Sequence, residues 1–350
     1  MSPLSGIRGA AKGALHSIGL LKAARRTRDL YGAKRVQRTL AWHGFSQKHQ
    51  FVVSANASGL CNRIKCLASS MRLAHKLART VALSWTPNSD CCCLFSDLFE
   101  NEVLELRDYE LNAVLNRPHM FESDQWYVVD TWLLLMLPND LPENFSKAYR
   151  STTGKTIDHE YDRIPVGIRH DYLRYFAALV PTKFIKKEVE GFAKEFDNNT
   201  ISVSIRSWPD DKNKAAALFS LENLYRVLDR EEESSFFVGC DSEEVLRHIT
   251  RRYGRRVISY PHSVKVGDRL SQRGMQEALI DLLLLSKNNR LKVSAYSTFS
   301  EVAWWFGGCR ASIECIDSGV TGQGAFDASI DDLGRLIPSD LLERAVMSIA

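Results

Sequence analysis

The stretch FVVSANASGLCNRIKCLASSMRLAHKLARTVALSW, residues 51–85, decides the fold. It opens on the apolar run Phe51–Ala55, which reads as a buried strand. A small-residue loop follows. Then Ile64, Leu67, Met71, Ala74 and Ala78 recur at three- and four-residue spacing, the signature of one helix face. Arg63, Arg72, Lys76 and Arg79 lie off that stripe, and TVALSW (Thr80–Trp85) is the next strand. Strand, loop, helix and strand in this order build parallel sheets.

The rhythm weakens between Asn88 and Arg169, where VLEL and WYVVD are strand candidates, and returns from Pro181. There PTKFIKKEVEGFAKEF reads as a helix, TISVSIR (Thr200–Arg206) as a strand and NKAAALFSLENLYRVL as one helix. SFFVGC (Ser235–Cys240), RRVISY, LKVSA and ASIECI are further strands, separated by SEEVLRHITRRYG, GMQEALIDLLLLSK and TFSEVAWWFGG as helices. Apolar, β-branched strands alternating with helices predict an α/β chain of two Rossmann-like domains facing a cleft. The expected division is a basic amino-terminal arm at 1–48, a first domain at 49–175, a second at 176–320 and a tail at 321–350. A length of 350 residues agrees with about two domains.

A net charge of +4 is too small to argue for nucleic acid, which is not expected as a partner. The charge is uneven, however. Arg8, Lys12, Lys22, Arg25, Arg26, Arg28, Lys34, Arg35 and Arg38 face only Asp29 in the first forty residues, with Ile7, Ala11, Ala14, Ile18 and Leu21 as a candidate apolar face. The arm is either a solvated tail or a peripheral contact for an anionic membrane surface. No run resembles an export signal or a membrane span, so a cytoplasmic location, peripheral to the inner face of a membrane, is expected. The eight cysteines are then expected as thiols. DCCCLF lacks the C-x-x-C spacing of a zinc site, so neither a metal nor another cofactor is expected.

In open parallel sheets, ligands bind beyond the carboxyl ends of the strands. The residues that follow strands are therefore the candidates. Gly59, Leu60, Cys61 and Asn62 open the first helix, whose free N–H groups suit phosphate, or Asn62 simply caps it. Arg206 follows a strand and offers a fork to phosphate oxygens, or pairs with Asp210 or Asp211. Asp241 accepts from a ribose or base, or else Asp241 or Ser242 simply caps a helix. Asp281 sits among leucines and must find either a protein donor or a ligand; the paired N–H groups of guanine suit it. Ser297, Thr298 and Ser300 cluster at a helix start, with Thr298 and Glu301 in capping-box spacing.

Taken in order, this set resembles the fucosyltransferase-like GT-B superfamily, which includes nodulation α1,6-, α1,2- and protein O-fucosyltransferases. The resemblance spans roughly Val52 to Cys315. GLCNR (Gly59–Arg63) is similar to that family's G-x-G-N-[QR] loop, and SIR to its H-x-R, with Arg206 matching the arginine. Asp241 in VGCDSEE, Asp281 in ALIDLLLLS and STFS (Ser297–Ser300) match its later motifs. Cys61 stands where the family has the second glycine, and Ser204 where it has the histidine.

The resemblance implies inverting transfer from a GDP-sugar, GDP-fucose first, to an oligosaccharide or glycoconjugate hydroxyl. It implies Arg206 on the diphosphate, Gly59–Asn62 with Ser297, Thr298 and Ser300 completing the cradle, Ser204 beside the nucleotide, Asp281 on guanine and Asp241 on base or ribose. It also implies metal-independent chemistry, and the chain contains no D-x-D. Such transfer calls for a base, for which Asp210, Asp211, Asp97 and Glu100 are candidates. Two alternatives stand: a transferase using another nucleotide sugar, or a non-catalytic nucleotide- or glycan-binding protein.

Overall fold

A computed structural model describes residues 4–122, 124–131, 134–135, 166–294 and 297–316. The expected tail at 321–350 lies outside them. The first sheet holds β1 (Phe51–Ser54), β2 (Thr80–Leu83), β3 (Leu104–Glu105) and β4 (Trp126–Val129), all parallel, in the order β3-β2-β1-β4. The second holds β5 (Ile201–Ile205), β6 (Phe236–Cys240), β7 (Val257–Ile258), β8 (Arg290–Ser294) and β9 (Ser312–Ile316), also parallel, in the order β7-β6-β5-β8-β9. Each order reverses direction once, between β1 and β4 and between β5 and β8. The second reversal is the doubly wound switch point at which ligands bind.

The helices are α1 (Leu4–Trp42), α2 (Leu60–Lys76), α3 (Asp108–Asn116), α4 (Val166–Ala178), α5 (Lys183–Phe192), α6 (Lys212–Leu218), α7 (Leu221–Leu228), α8 (Glu243–Tyr253), α9 (Gln272–Leu285) and α10 (Thr298–Phe306). One apolar cluster joins the two sheets. Leu60, Ile64 and Leu67 of α2 meet Tyr172 and Phe176 of α4, Leu279 and Leu282 of α9, and Trp304 and Trp305 of α10. Phe176 stacks on Trp305 with ring centroids 5.2 Å apart. This cluster floors the cleft and fixes the starts of α2 and α10 relative to each other.

Several elements differ from expectation. The single helix expected over residues 213–228 is two, because Ser220 accepts from the Asn223 N–H and restarts the helix as α7. RRVISY narrows to Val257–Ile258. The expected arm at 1–48 is one helix whose later turns belong to the first sheet's core. Ala33, Val36 and Leu40 are buried there, the last two against Phe51 and Val53. Gly32 lets the same helix approach α3 closely: a Cβ would meet the Tyr109 carbonyl oxygen at 2.7 Å and the Ala113 methyl at 2.8 Å. Residues 21–28 remain exposed, Leu21 among them; the side chains of Ile7, Ala11, Ala14 and Ile18 lie outside the description. No described helix is long and apolar enough to cross a membrane.

Candidate functional site

The carboxyl ends of β5, β6 and β8 face the start of α2 across a cleft of about 330 Å³. Gly59, Leu60, Cys61, Asn62, Ser204, Arg206, Asp241, Asp281, Ser297 and Thr298 all line it. Two sheets and four strand–helix junctions thus deliver the residues singled out above to one place. Ser300 does not reach the cleft; it is fully buried, and its Oγ donates to the Ser297 carbonyl at 2.9 Å.

Two helices that begin at the cleft, α2 and α10, have no side-chain cap. Gly59 precedes α2 and Ser297 precedes α10, and neither gives a side-chain hydrogen bond to the helix start. Asn62 is inside α2 instead of capping it, and its buried amide oxygen has no partner among the described residues. Glu301 does not complete a capping box with Thr298. It pairs instead with Lys65 of α2, both side chains being at most 1% exposed. Uncapped N–H groups at two helix starts carry partial positive charge into the cleft. Gly59 has φ −63°, an ordinary value, so its glycine is not needed for the turn. A Cβ there would find its nearest neighbour at 3.8 Å, the Asp90 carbonyl oxygen, so hydrogen in that place leaves room. Arg63 braces the loop from beneath by donating to the Ser58, Thr86 and Ala57 carbonyls.

Arg206 is paired, though not with Asp210 or Asp211. Its guanidinium holds Asp241 and lies 4.4 Å from the Trp208 ring centroid. Burial is the largest influence on it and lowers its pKa; Asp241 opposes that shift. Asp241 also accepts from the Ser207 N–H at 2.8 Å and hydroxyl at 2.7 Å. Both its oxygens are thereby engaged, which makes Asp241 a holder of Arg206 and the β5 end. Ser242 is the cap of α8. Asp281 has both expected kinds of partner open to it: Oδ2 meets His262 Nε2 at 2.9 Å, while Oδ1 is buried with no partner among the described residues. Burial pushes the Asp281 carboxyl up despite His262. Burial pulls His262 down, but the bond and charge of Asp281 win and raise it.

None of the four expected bases lines the cleft. Asp97 accepts from the Leu94 N–H at 2.7 Å, and Glu100 from the Lys183 N–H at 2.9 Å and Lys186 at 3.1 Å. Asp211 caps α6 through the Lys214 N–H at 3.0 Å, and Asp210 is exposed outside the cleft. Glu100 and Asp211 are held below the usual carboxylate range, Glu100 first by Lys186 and Asp211 first by the Lys214 N–H. That is the wrong direction for a base working near neutrality.

Sequence reasoning missed Asp90, Trp208, His262, Lys265, Asp268 and Arg269, all of which line the cleft from loops. Trp208 has φ +55°, an unusual value for a bulky residue, and its strand-following position was the one available signal. The loop carrying the last four is stapled by buried Glu277, which accepts from Ser263, Val264 and Arg273.

No protein-family model and no curated protein matches the chain. Solved structures do. NodZ α1,6-fucosyltransferase soaked with GDP-fucose is 16% identical, with 79% of this chain and 98% of that one covered and a TM-score of 0.53. A selenomethionine form of the fucosyltransferase NodZ from Bradyrhizobium is 17% identical over 79% and 97%, TM-score 0.54. NodZ co-crystallised with GDP is 15% identical over 73% and 92%, TM-score 0.50. The two-sheet α/β architecture of this chain is the fucosyltransferase-like GT-B fold of those structures.

Proposed function

We propose that this fold works here as a glycosyltransferase taking a GDP-sugar, GDP-fucose first, and delivering the sugar with inversion to a glycan hydroxyl. The observation that carries the reading is convergence. Arg206, the uncapped starts of α2 and α10, and the unpartnered Asp281 oxygen meet in one cleft at the switch point of the second sheet. Guanine N1–H and N2–H suit Asp281, because each carboxylate oxygen has two lone pairs and Oδ2 can serve both His262 and a ligand. The diphosphate then lies toward Arg206 and the helix starts, with Ser297 and Thr298 beside it. As the sugar–phosphate bond breaks, negative charge grows where these fixed donors already point, and removing one such donor typically costs about 2.7–4 kcal/mol.

Asp90 is our candidate for the base. It lines the cleft from the first-sheet side, it is exposed, and its carboxylate has no hydrogen-bond partner among the described residues. The acceptor hydroxyl would approach from that side. The exposed Lys22, Arg25, Arg26 and Arg28 of α1 fit a peripheral contact with an anionic membrane surface. Salt-sensitive sedimentation with anionic vesicles tests that contact.

The direct test is a thermal-shift titration with GDP, UDP and ADP, followed by GDP-sugars with and without oligosaccharide acceptors. Stabilisation by GDP above the others and acceptor-dependent GDP release are expected; a preference for UDP would move the reading to another donor. One observation favours a non-catalytic nucleotide-binding protein, namely that Arg206 is already neutralised by Asp241. GDP binding without release of GDP from any sugar donor would establish that reading.

A further inference from the structure

The Arg206–Asp241 pair carries no net charge, so Arg206 alone gives the phosphate end of the cleft little positive field. Other cations of the cleft add to the partial charge of the two helix starts. Two more line the cleft, Lys265 and Arg269, and neither side chain has a hydrogen-bond or ion-pair partner among the described residues. They are not equivalent. The Arg269 charge is felt both at Arg206, whose pKa it lowers, and at the Cys61 thiol, whose pKa it also pulls down, so it acts on the end of β5 and on the first turn of α2. Lys265 is exposed, whereas Arg269 is half-buried. The Arg269 main chain is also tied across the cleft: its carbonyl accepts from the Cys92 N–H at 3.0 Å, in the loop that carries Asp90. Asp268, its neighbour, accepts from the Leu270 N–H at 2.9 Å and from the Ser271 hydroxyl. Those bonds hold the backbone on either side of Arg269 and point Asp268 toward the start of α9.

We infer that Arg269 is a second ligand of the donor's diphosphate, contacting its terminal phosphate while Asp241 holds Arg206 in place. The inference rests on the nucleotide-sugar reading above. It deepens that reading by assigning the unneutralised positive charge of the site to a loop residue that no strand-end motif contains. A half-buried guanidinium with no partner among the described residues gains most from a ligand presenting paired oxygens, and a phosphate does so. Because the first-sheet loop at Cys92 holds the Arg269 backbone, the contact also registers the two sheets about the diphosphate.

The experiment compares Arg269→Ala, Arg269→Lys and Lys265→Ala with the wild-type protein, titrating GDP, GMP and inorganic pyrophosphate by calorimetry. Arg269→Ala should weaken GDP and pyrophosphate by about 10- to 100-fold, the loss of one charged hydrogen-bonding group, and GMP by far less. Arg269→Lys should recover part of the loss, and Lys265→Ala should show little of it. Equal losses for GDP and GMP, or equal losses from Lys265→Ala, would overturn the assignment. So would undiminished GDP binding by Arg269→Ala, which leaves the nucleotide reading intact. Arg269-dependent pyrophosphate binding without any preference for GDP would keep the assignment and remove guanine. Failure of the wild-type protein to bind either GDP or pyrophosphate would remove both.

Discussion

The two ends of the second sheet treat charge in opposite ways. Toward the amino ends of its strands, Lys292 is 3% exposed yet donates to Glu231 at 2.8 Å and also to Glu314. Arg290 joins Glu231, and Arg230 joins Glu314. Burial favours the neutral form of both carboxyls, but the hydrogen bonds and charges of these cations outweigh it and hold both below their usual range. Toward the carboxyl ends, Asp281 keeps a buried oxygen and Arg269 a guanidinium with no partner among the described residues, and α10 starts uncapped. The same chain can therefore close its polar groups where only folding is at stake. Leaving them open costs stability, and Asn62, Trp208 and Asp281, which line the cleft, are among the residues that carry such groups.

If closed charges serve the fold and open ones serve binding, their removal should have separate effects. The largest effect is expected at Lys65 and Glu301, a closed pair beneath the cleft that joins α2 to α10. Glu301→Leu or Lys65→Met alone removes one side of this buried ion pair, and should lower unfolding free energy by about 3–5 kcal/mol in denaturant titration. The double substitution should recover much of that loss. Single variants as stable as the wild type would mean that the pair is not closed in solution. Next in size, Arg206→Ala should slow transfer by about 10²- to 10³-fold while the protein remains folded by circular dichroism. Full turnover by that variant would remove Arg206 from the chemistry.

What was legible in the sequence is what topology alone dictates. In a parallel α/β chain every strand delivers its following residue to the same edge, so Arg206, Asp241 and Ser297 were identifiable without knowing strand order. Their partners were not. Arg206 meets Asp241 because β5 and β6 pair with Ile205 opposite Cys240, which puts the next residue of each strand side by side. That adjacency needs the register. Lys65 and Glu301 lie 236 residues apart, and Glu301 at capping-box spacing from Thr298 pointed to a local role that a distant lysine displaced. His262, Lys265 and Arg269 sit in a loop whose sequence has no periodicity. Its shape comes from buried Glu277, which reads as one more polar residue of a helix.

Asp281→Asn sharpens the contrast with a smaller effect in each direction. It should weaken GDP by about 1.5–3 kcal/mol, the range for a hydrogen bond to a charged group, and reduce discrimination against other bases. It should also stabilise the free protein at neutral pH. The Asp281 carboxyl is raised by burial, so the fold loses stability as pH climbs from its unfolded value near 4 through its folded one. The His262 shift has the same consequence. Its stabilisation is present below about 6.5 and is lost as pH rises through the raised folded value. Stability measured from pH 4 to 8 should therefore fall more steeply in the wild type than in Asp281→Asn; parallel curves would show that the buried carboxylate carries no such cost.

The smallest effects separate two helix starts. Asp211 caps α6 away from the cleft, so Asp211→Ala should cost about 1 kcal/mol of stability and leave nucleotide affinity unchanged. Gly59 opens α2 at the cleft with an ordinary backbone angle and no atom within 3.8 Å of an added methyl. Gly59→Ala should therefore change stability by less than about 1 kcal/mol. Its methyl would nevertheless occupy the space in front of the free N–H groups, where a phosphate must come within hydrogen-bonding distance. The expected outcome is weaker GDP binding at nearly unchanged melting temperature. If Gly59→Ala instead binds GDP as the wild type does, the phosphate does not sit at the start of α2, and the α10 start becomes the remaining cradle.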